Sequence, residues 1–295
     1  MKVLIHEQPA RQVQDILRAR GGSFIFHGAP EVGKRTIATD ISRRLNCLGD
    51  EPKTCPSCRQ HLAGTYPDLV NVSSEDKPSI SIETIRSVVQ SVSLSLYHAA
   101  GVRVIIIDDA HLMTAAAQNA LLKVLEEPPA QTMFILVTDQ PRALLPTIHS
   151  RCAPVYFPSL ASTPIAELLA SDYAQTEEAA ALIAAASDGA PGTAIQLVSS
   201  PDVAAERRQL QELADGVAQK NLFDRLLLVK KLVDSKTDPT RFGRLLHRSL
   251  VAQTRAAGSF IPDAPKRFQA LEKFRRAVDA KVAPRVALER LMLEL

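Results

Sequence analysis

Ser23-Phe24-Ile25-Phe26-His27-Gly28-Ala29-Pro30-Glu31-Val32-Gly33-Lys34-Arg35-Thr36 decides the fold. A short apolar run enters a loop bounded by two glycines, and the loop opens a helical pattern. A strand that passes through such a loop into a helix has the Walker A arrangement. Backbone N–H groups wrap a phosphate, the lysine neutralises it, and the helix dipole adds to both. Gly28, Gly33 and Lys34 are the candidate phosphate-binding residues; the plain alternative is a glycine turn between strand and helix. Three positions depart from a hydrolytic loop. Arg35 stands where a Ser or Thr hydroxyl would bind Mg²⁺. Thr36 comes one residue late, turned by ~100° around the helix. Glu31 adds a carboxylate that would repel polyphosphate if it pointed inward.

The partner of that loop lies downstream at Val104-Ile105-Ile106-Ile107-Asp108-Asp109, an apolar strand ending in acids. Asp108 would hold Mg²⁺ through water. Asp109 stands where a Glu would orient the attacking water and is one methylene shorter, a displacement that costs rate. The alternative is a pair of acids capping the next helix.

Working outward, short β-branched runs at 23–27, 68–72, 103–107, 133–138 and 153–157 predict five strands buried on both faces, as a parallel sheet requires. Apolar residues at three- and four-residue spacing predict helices over 82–96 and 114–126, the second stopped by Pro128-Pro129. After Phe157 no strand pattern recurs. Pro158 and Pro164 flank a linker, and alanine-rich helices follow (177–187). A Gly-Ala-Pro-Gly turn comes at 189–192, and Pro201 opens amphipathic segments containing Leu222, Phe223, Leu226 and Phe242, Leu245, Leu246. The expected organisation is an α/β domain at 1–157, a helical lid at 158–200 and an all-α domain at 201–295.

The bulk numbers fit that outline. The 295 residues suit two to three domains of ~100–150 residues. Hydrophobic residues make up 46%, enough for real cores, but aromatics only 4% with no Trp, so the cores are aliphatic. The net charge of +3 gives no argument for direct nucleic-acid binding. No secretory signal opens the chain, and no apolar run reaches the ~18 residues of a membrane span. The expected location is cytoplasmic, away from membranes.

In a reducing compartment, clustered cysteines point to a metal rather than to disulfides. Cys47, Cys55, Cys58 and His61 read C-x7-C-x2-C-x2-H, whose two-residue steps place ligands on one tetrahedral ion. The expectation is a structural Zn²⁺ with no position left for water, in a module at 47–61. The alternative is three buried cysteines beside a surface histidine. Cys152 is expected to be a packing residue, and His27, His111, His149 and His247 to be ordinary.

The chain resembles the AAA+ subunits of bacterial DNA polymerase III clamp loaders, of the gamma/tau and delta-prime kinds. The resemblance rests on three runs. Ile105 to Thr114 reads IIIDDAHLMT, Asn119 to Pro129 reads NALLKVLEEPP, and Leu144 to Cys152 reads LLPTIHSRC. Specific motifs cover about 24–160; the helical remainder agrees only in layout. The resemblance implies an AAA+ P-loop domain with a zinc insertion, a three-helix lid and a helical collar that oligomerises. It makes Arg151 an arginine finger inserted in trans into a neighbouring ATP site, where a fixed positive charge stabilises the transferred γ-phosphoryl group. It aligns Thr138 with a sensor of that phosphate and places Gly192 where hydrolytic relatives carry a second-sensor arginine. An intact finger beside a departed phosphate loop, catalytic acid and second sensor matches the delta-prime pattern, a stator with little or no hydrolysis of its own. The expected partners are gamma/tau and delta subunits and, through the complex, the sliding clamp and primer-template DNA. Lys34 survives, so binding of ATP or ADP with Mg²⁺ stays open. Two rivals remain: an active gamma/tau-type ATPase, and an AAA+-derived zinc scaffold outside replication.

Overall fold

The computed structural model describes residues 6–49, 55–74, 79–93, 95–235, 237–256, 263–280 and 282–295. Helix α1 (Glu7–Ala19), strand β1 (Gly22–Gly28), helices α2 (Lys34–Leu45) and α3 (Pro56–Leu62), strand β2 (Leu69–Val72) and helix α4 (Ile82–Ser91) come first. Strand β3 (Arg103–Ile107), helix α5 (Ala115–Glu126), strand β4 (Thr132–Thr138), the single turn α6 (Pro146–His149) and strand β5 (Ala153–Phe157) complete the sheet region. All five predicted strands are present.

The sheet is parallel throughout, in the order β2-β3-β4-β1-β5. Every residue of β3 and β4 is buried, because helices cover both faces. The period of two sorts side chains cleanly. Ile105, Ile107, Phe134 and Leu136 join Ile85, Val88, Leu121 and Leu125 of α4 and α5. Val104, Ile106, Met133 and Ile135 join Val13, Ile16, Ile37 and Ile41 of α1 and α2 on the other face.

Helix α4 ends at Ser91, short of the predicted 96. The cause is Arg103, whose guanidinium donates to the Ser91, Val92 and Ser95 carbonyls and so takes the acceptors that end the helix. It also meets the buried Asp68 at 2.8 Å; β2 begins at Leu69, one residue later than predicted. Helix α1 was not anticipated; its buried face is Pro9, Val13 and Ile16.

The backbone divides into two compact units, 1–198 and 199–295. The first also contains α7 (Ser162–Tyr173), α8 (Glu177–Ala186) and α9 (Pro191–Ser199), packed around Ile165, Leu169, Ala180, Ala184 and Ala194. The second contains α10 (Pro201–Gly216), α11 (Leu222–Asp234), α12 (Pro239–Ala256), α13 (Ala264–Asp279) and α14 (Pro284–Glu294). Its core includes Leu210, Leu232, Phe242, Leu246, Phe274 and Leu291. A Cβ at Gly243 would meet the Phe274 ring at 2.6 Å, so glycine sets how closely α12 and α13 approach. Among the described residues no helix is long and apolar enough to cross a membrane.

Candidate functional site

The crevice beyond the carboxyl ends of parallel strands is where open α/β sheets bind ligands. Here it collects the ends of β1, β3 and β4. Gly28 closes β1 at φ +141°, and a Cβ there would run into the Phe157 carbonyl of β5, so the loop starts where only glycine fits. Gly33 caps α2 at φ +92°, with open space where its Cβ would be. The helix presents its free first-turn N–H groups at the end of this loop.

Lys34 is buried, and its ammonium donates to the Gly28 carbonyl (3.0 Å) and the Ala29 carbonyl (2.5 Å) of its own loop. Burial lowers its pKa, opposed by the charges of Asp139, Asp108 and Asp109. Arg35 Nη1 meets Asp108 Oδ2 at 3.2 Å. The acid predicted to hold the metal is thus paired with a guanidinium, and Thr36 sits one helical step away from it. Mg²⁺ does not fit this arrangement. Glu31 does not point at the phosphate position. Its carboxylate accepts from Thr193 Oγ1 at 2.6 Å and its carbonyl from Gly192 N–H at 2.9 Å, so it fastens α9 to the loop.

Asp109 occupies the left-handed region at φ +48°, and its N–H donates to Asp108 Oδ1. Burial first, then Asp108, raises its pKa. Thr138 is buried, accepts from Gln140 N–H at 3.0 Å and lies 3.2 Å from His111 Nδ1. The same nitrogen is 3.6 Å from Asp139. His111, expected to be ordinary, belongs to this cluster; the cue was its place two residues after the strand-end acids. His149 also has a partner, with Nε2 2.8 Å from the Pro141 carbonyl. His27 packs on Tyr156 and His247 on Phe268.

Arg151 lies elsewhere. It stands two residues before the start of β5, whereas the loop follows the end of β1, and the two strands run parallel. One strand length, roughly 16 Å at ~3.3 Å per residue, therefore separates the two ends. Its Nη2 and Nε meet Glu126 Oε2 at 2.7 and 2.9 Å, and Nη1 donates to the Thr147 carbonyl. The side chain keeps 29% of its surface exposed. Glu126, at the end of α5, was not singled out in the sequence. Nothing local distinguishes it from Glu127.

The cysteine module is brought together only in part. The sulfurs of Cys47, Cys55 and Cys58 lie within 4.8 Å of one another, with Cys47 3.9 Å from Cys55 and 3.5 Å from Cys58. Tetrahedral zinc with Zn–S of ~2.3 Å separates sulfurs by about 3.8 Å, so these three fit one ion. The Cys58 and Leu48 N–H groups draw the Cys55 thiol down to about 6, toward the thiolate that a metal needs. His61, expected as fourth ligand, is not with them. One ring nitrogen lies 3.0 Å from Ser42 Oγ, the other 2.9 Å from the Ser57 carbonyl, and the ring stacks on Tyr66. Arg43 instead approaches Cys58 Sγ at 3.7 Å. Residues 50–54 of the predicted module lie outside the described residues. Cys152 is buried, and burial pushes its thiol up to about 12, consistent with packing.

Comparison with known proteins agrees with this geometry. The DNA polymerase III subunit delta' of Escherichia coli is 31% identical over 211 residues, covering 69% of this chain and 62% of that protein. The DNA polymerase III subunit tau of Bacillus subtilis is 28% identical over 245 residues, covering 74% and 43%. The chain thus spans less than two thirds of the length of these relatives. Among solved structures, a DNA polymerase III gamma subunit-related protein of Thermotoga maritima superposes with a TM-score of 0.53 at 18% identity, covering 97% and 98% of the two chains. The RuvB Holliday junction branch migration motor of the same organism gives 0.50 at 16% identity, covering 87% and 83%. Both likenesses establish the AAA+ fold. Residues 9–161 match the family described as DNA polymerase III, delta subunit, and the chain belongs to that family.

Proposed function

We propose that this chain is a delta-prime-like clamp-loader subunit that lends Arg151 to the ATP site of a neighbouring gamma/tau subunit and hydrolyses little or no ATP itself. The observation that carries the reading is the placement of Arg151. It is held at the surface, a strand length from its own phosphate loop, so its charge serves another chain's nucleotide if it serves any. The loop supports the second half of the reading, because Arg35 takes the acid that a catalytic metal would need.

In this role ATP bound next door would be completed by Arg151, and the assembled ring of gamma/tau and delta subunits would open the sliding clamp and place it on primer-template DNA. The all-α unit at 201–295 would serve as the collar, and 158–200 as the lid over the nucleotide position. Thr138 would stand at the sensor position, although its hydroxyl is engaged by His111 and Gln140. A structural zinc would be held by Cys47, Cys55 and Cys58.

The test is ATP hydrolysis by the reconstituted complex and by the isolated chain. The expected result is no steady turnover by the chain alone, and a complex that assembles with Arg151→Ala but hydrolyses more slowly. Turnover by the isolated chain that Lys34→Ala abolishes would instead establish a gamma/tau-type ATPase.

A further inference from the structure

We infer that Arg35 is a resident cation in the place of Mg²⁺, and that the phosphate loop takes a nucleoside diphosphate without any metal ion. The inference goes beyond the arginine-donor reading and does not depend on it.

Three observations combine. The phosphate-wrapping part of the loop is intact: Gly28 and Gly33 hold positive φ values, no atom crowds Gly33, and Lys34 reaches back to the Gly28 carbonyl. The metal-holding part is not. The hydroxyl position is Arg35, and its guanidinium sits 3.2 Å from Asp108, whose side chain is only 20% exposed. A hydrated Mg²⁺ at Asp108 would have to displace that guanidinium first. Glu31 turns its carboxylate to Thr193 on α9.

Charge then selects the ligand. Mg²⁺ would supply two positive charges; Arg35 supplies one, already shared with Asp108. Asp109 and Asp139 stand close enough to act on Lys34. Each further phosphate adds negative charge beside these acids, so the shorter diphosphate is the less opposed ligand. Lys34, the α2 N–H groups and Arg35 suffice for two phosphates.

The test is a titration of the full chain with a fluorescent ADP analogue, in EDTA and in Mg²⁺. The wild type is expected to bind with the same affinity in both, within about twofold, and Lys34→Ala to lose the signal. Arg35→Thr restores the hydroxyl and frees Asp108, and is expected to bind at least about tenfold more tightly with Mg²⁺ than without. Three results would overturn the inference: a wild type that loses about tenfold or more on removal of Mg²⁺, an Arg35→Thr variant as indifferent to metal as the wild type, or no wild-type binding at about millimolar analogue. The Arg151 experiment reads hydrolysis in a neighbour, so either idea can fail while the other stands.

Discussion

Arg151 and Glu126 form a two-point contact in which Nε and Nη2 of the guanidinium share one carboxylate oxygen, at 2.9 and 2.7 Å. The two residues come from different motifs, the end of α5 and the segment before β5, 25 positions apart. Glu126 keeps 59% of its side-chain surface exposed, so the pair adds little to stability, within about 1 kcal/mol. On the arginine-donor proposal, its use would be to aim the guanidinium. Arg151→Ala is expected to slow the neighbouring ATP site by on the order of 10³-fold. Glu126→Ala leaves the charge but frees its direction, and is expected to slow that site by about ten- to a hundredfold. Both variants should melt like the wild type. Single-turnover hydrolysis in the reconstituted complex separates them, and equal rates for Glu126→Ala and wild type would deny Glu126 the aiming role.

The zinc module gives a second prediction. Three sulfurs fit one ion, while His61 spends both ring nitrogens on α2 and α3. Turning His61 to the metal would break two buried hydrogen bonds and the stacking on Tyr66. Gently purified protein is therefore expected to carry about one zinc per chain. Cys58→Ala should lose it. His61→Ala should keep it but melt at lower temperature, since Ser42 Oγ and the Ser57 carbonyl would be left in the interior without their partner. Loss of zinc from His61→Ala, measured by metal analysis, would make the histidine a ligand after all.

Much of this molecule was legible because its signals are local. The apolar runs ending in Asp108 and opening at Gly28 give strands, loop and acids without tertiary knowledge, and β3 and β4 are buried at every position as such runs require. What stayed hidden depends on long-range pairing. The α4 terminus is set by Arg103, from a strand twelve residues further on. Glu31 looks like a defect in the loop until Thr193 and Gly192 arrive from 162 residues away. His61 fits a ligand pattern by spacing, yet Ser42 on another helix takes its ring. Spacing says which residues are near along the chain. It does not say which way a side chain turns when a neighbouring element offers a better partner.

Arg103 and Asp68 make a third prediction. Both side chains are over nine-tenths buried, and Arg103 also satisfies three carbonyls at the end of α4. Replacing only one member leaves a buried charge unpaired, at a cost of about 3–5 kcal/mol. Asp68→Ala is expected to lower the denaturation midpoint accordingly. Asp68 also accepts from Tyr97 N–H, which anchors the segment between α4 and β3. Proteolysis should therefore begin in that segment. A variant that unfolds at the wild-type denaturant concentration would show that the pair is dispensable.

Gly192 carries the last prediction. It stands at the position where hydrolytic relatives are expected to place an arginine, so Gly192→Arg is the obvious attempt to restore activity. The structure opposes it. A Cβ on Gly192 would lie 2.9 Å from the Glu31 carbonyl and 3.1 Å from its Cβ, tighter than side chains tolerate. The same residue donates its N–H to that carbonyl at 2.9 Å. An added side chain must therefore push α9 off the loop, breaking this bond and the Glu31–Thr193 contact together. Gly192→Arg is expected to destabilise the 1–198 unit by about 1–3 kcal/mol and to give no hydrolysis. Glu31→Gly in the same chain removes only the 3.1 Å contact with Cβ, leaves the 2.9 Å contact with the carbonyl and loses the Thr193 bond, so it should recover little of the stability. It should still give no turnover, because Arg35 continues to hold Asp108. Thermal melts of the two variants, read beside phosphate release, check both halves. Phosphate release by Gly192→Arg alone would mean that the missing sensor, and not the guanidinium at Asp108, is what silences the site.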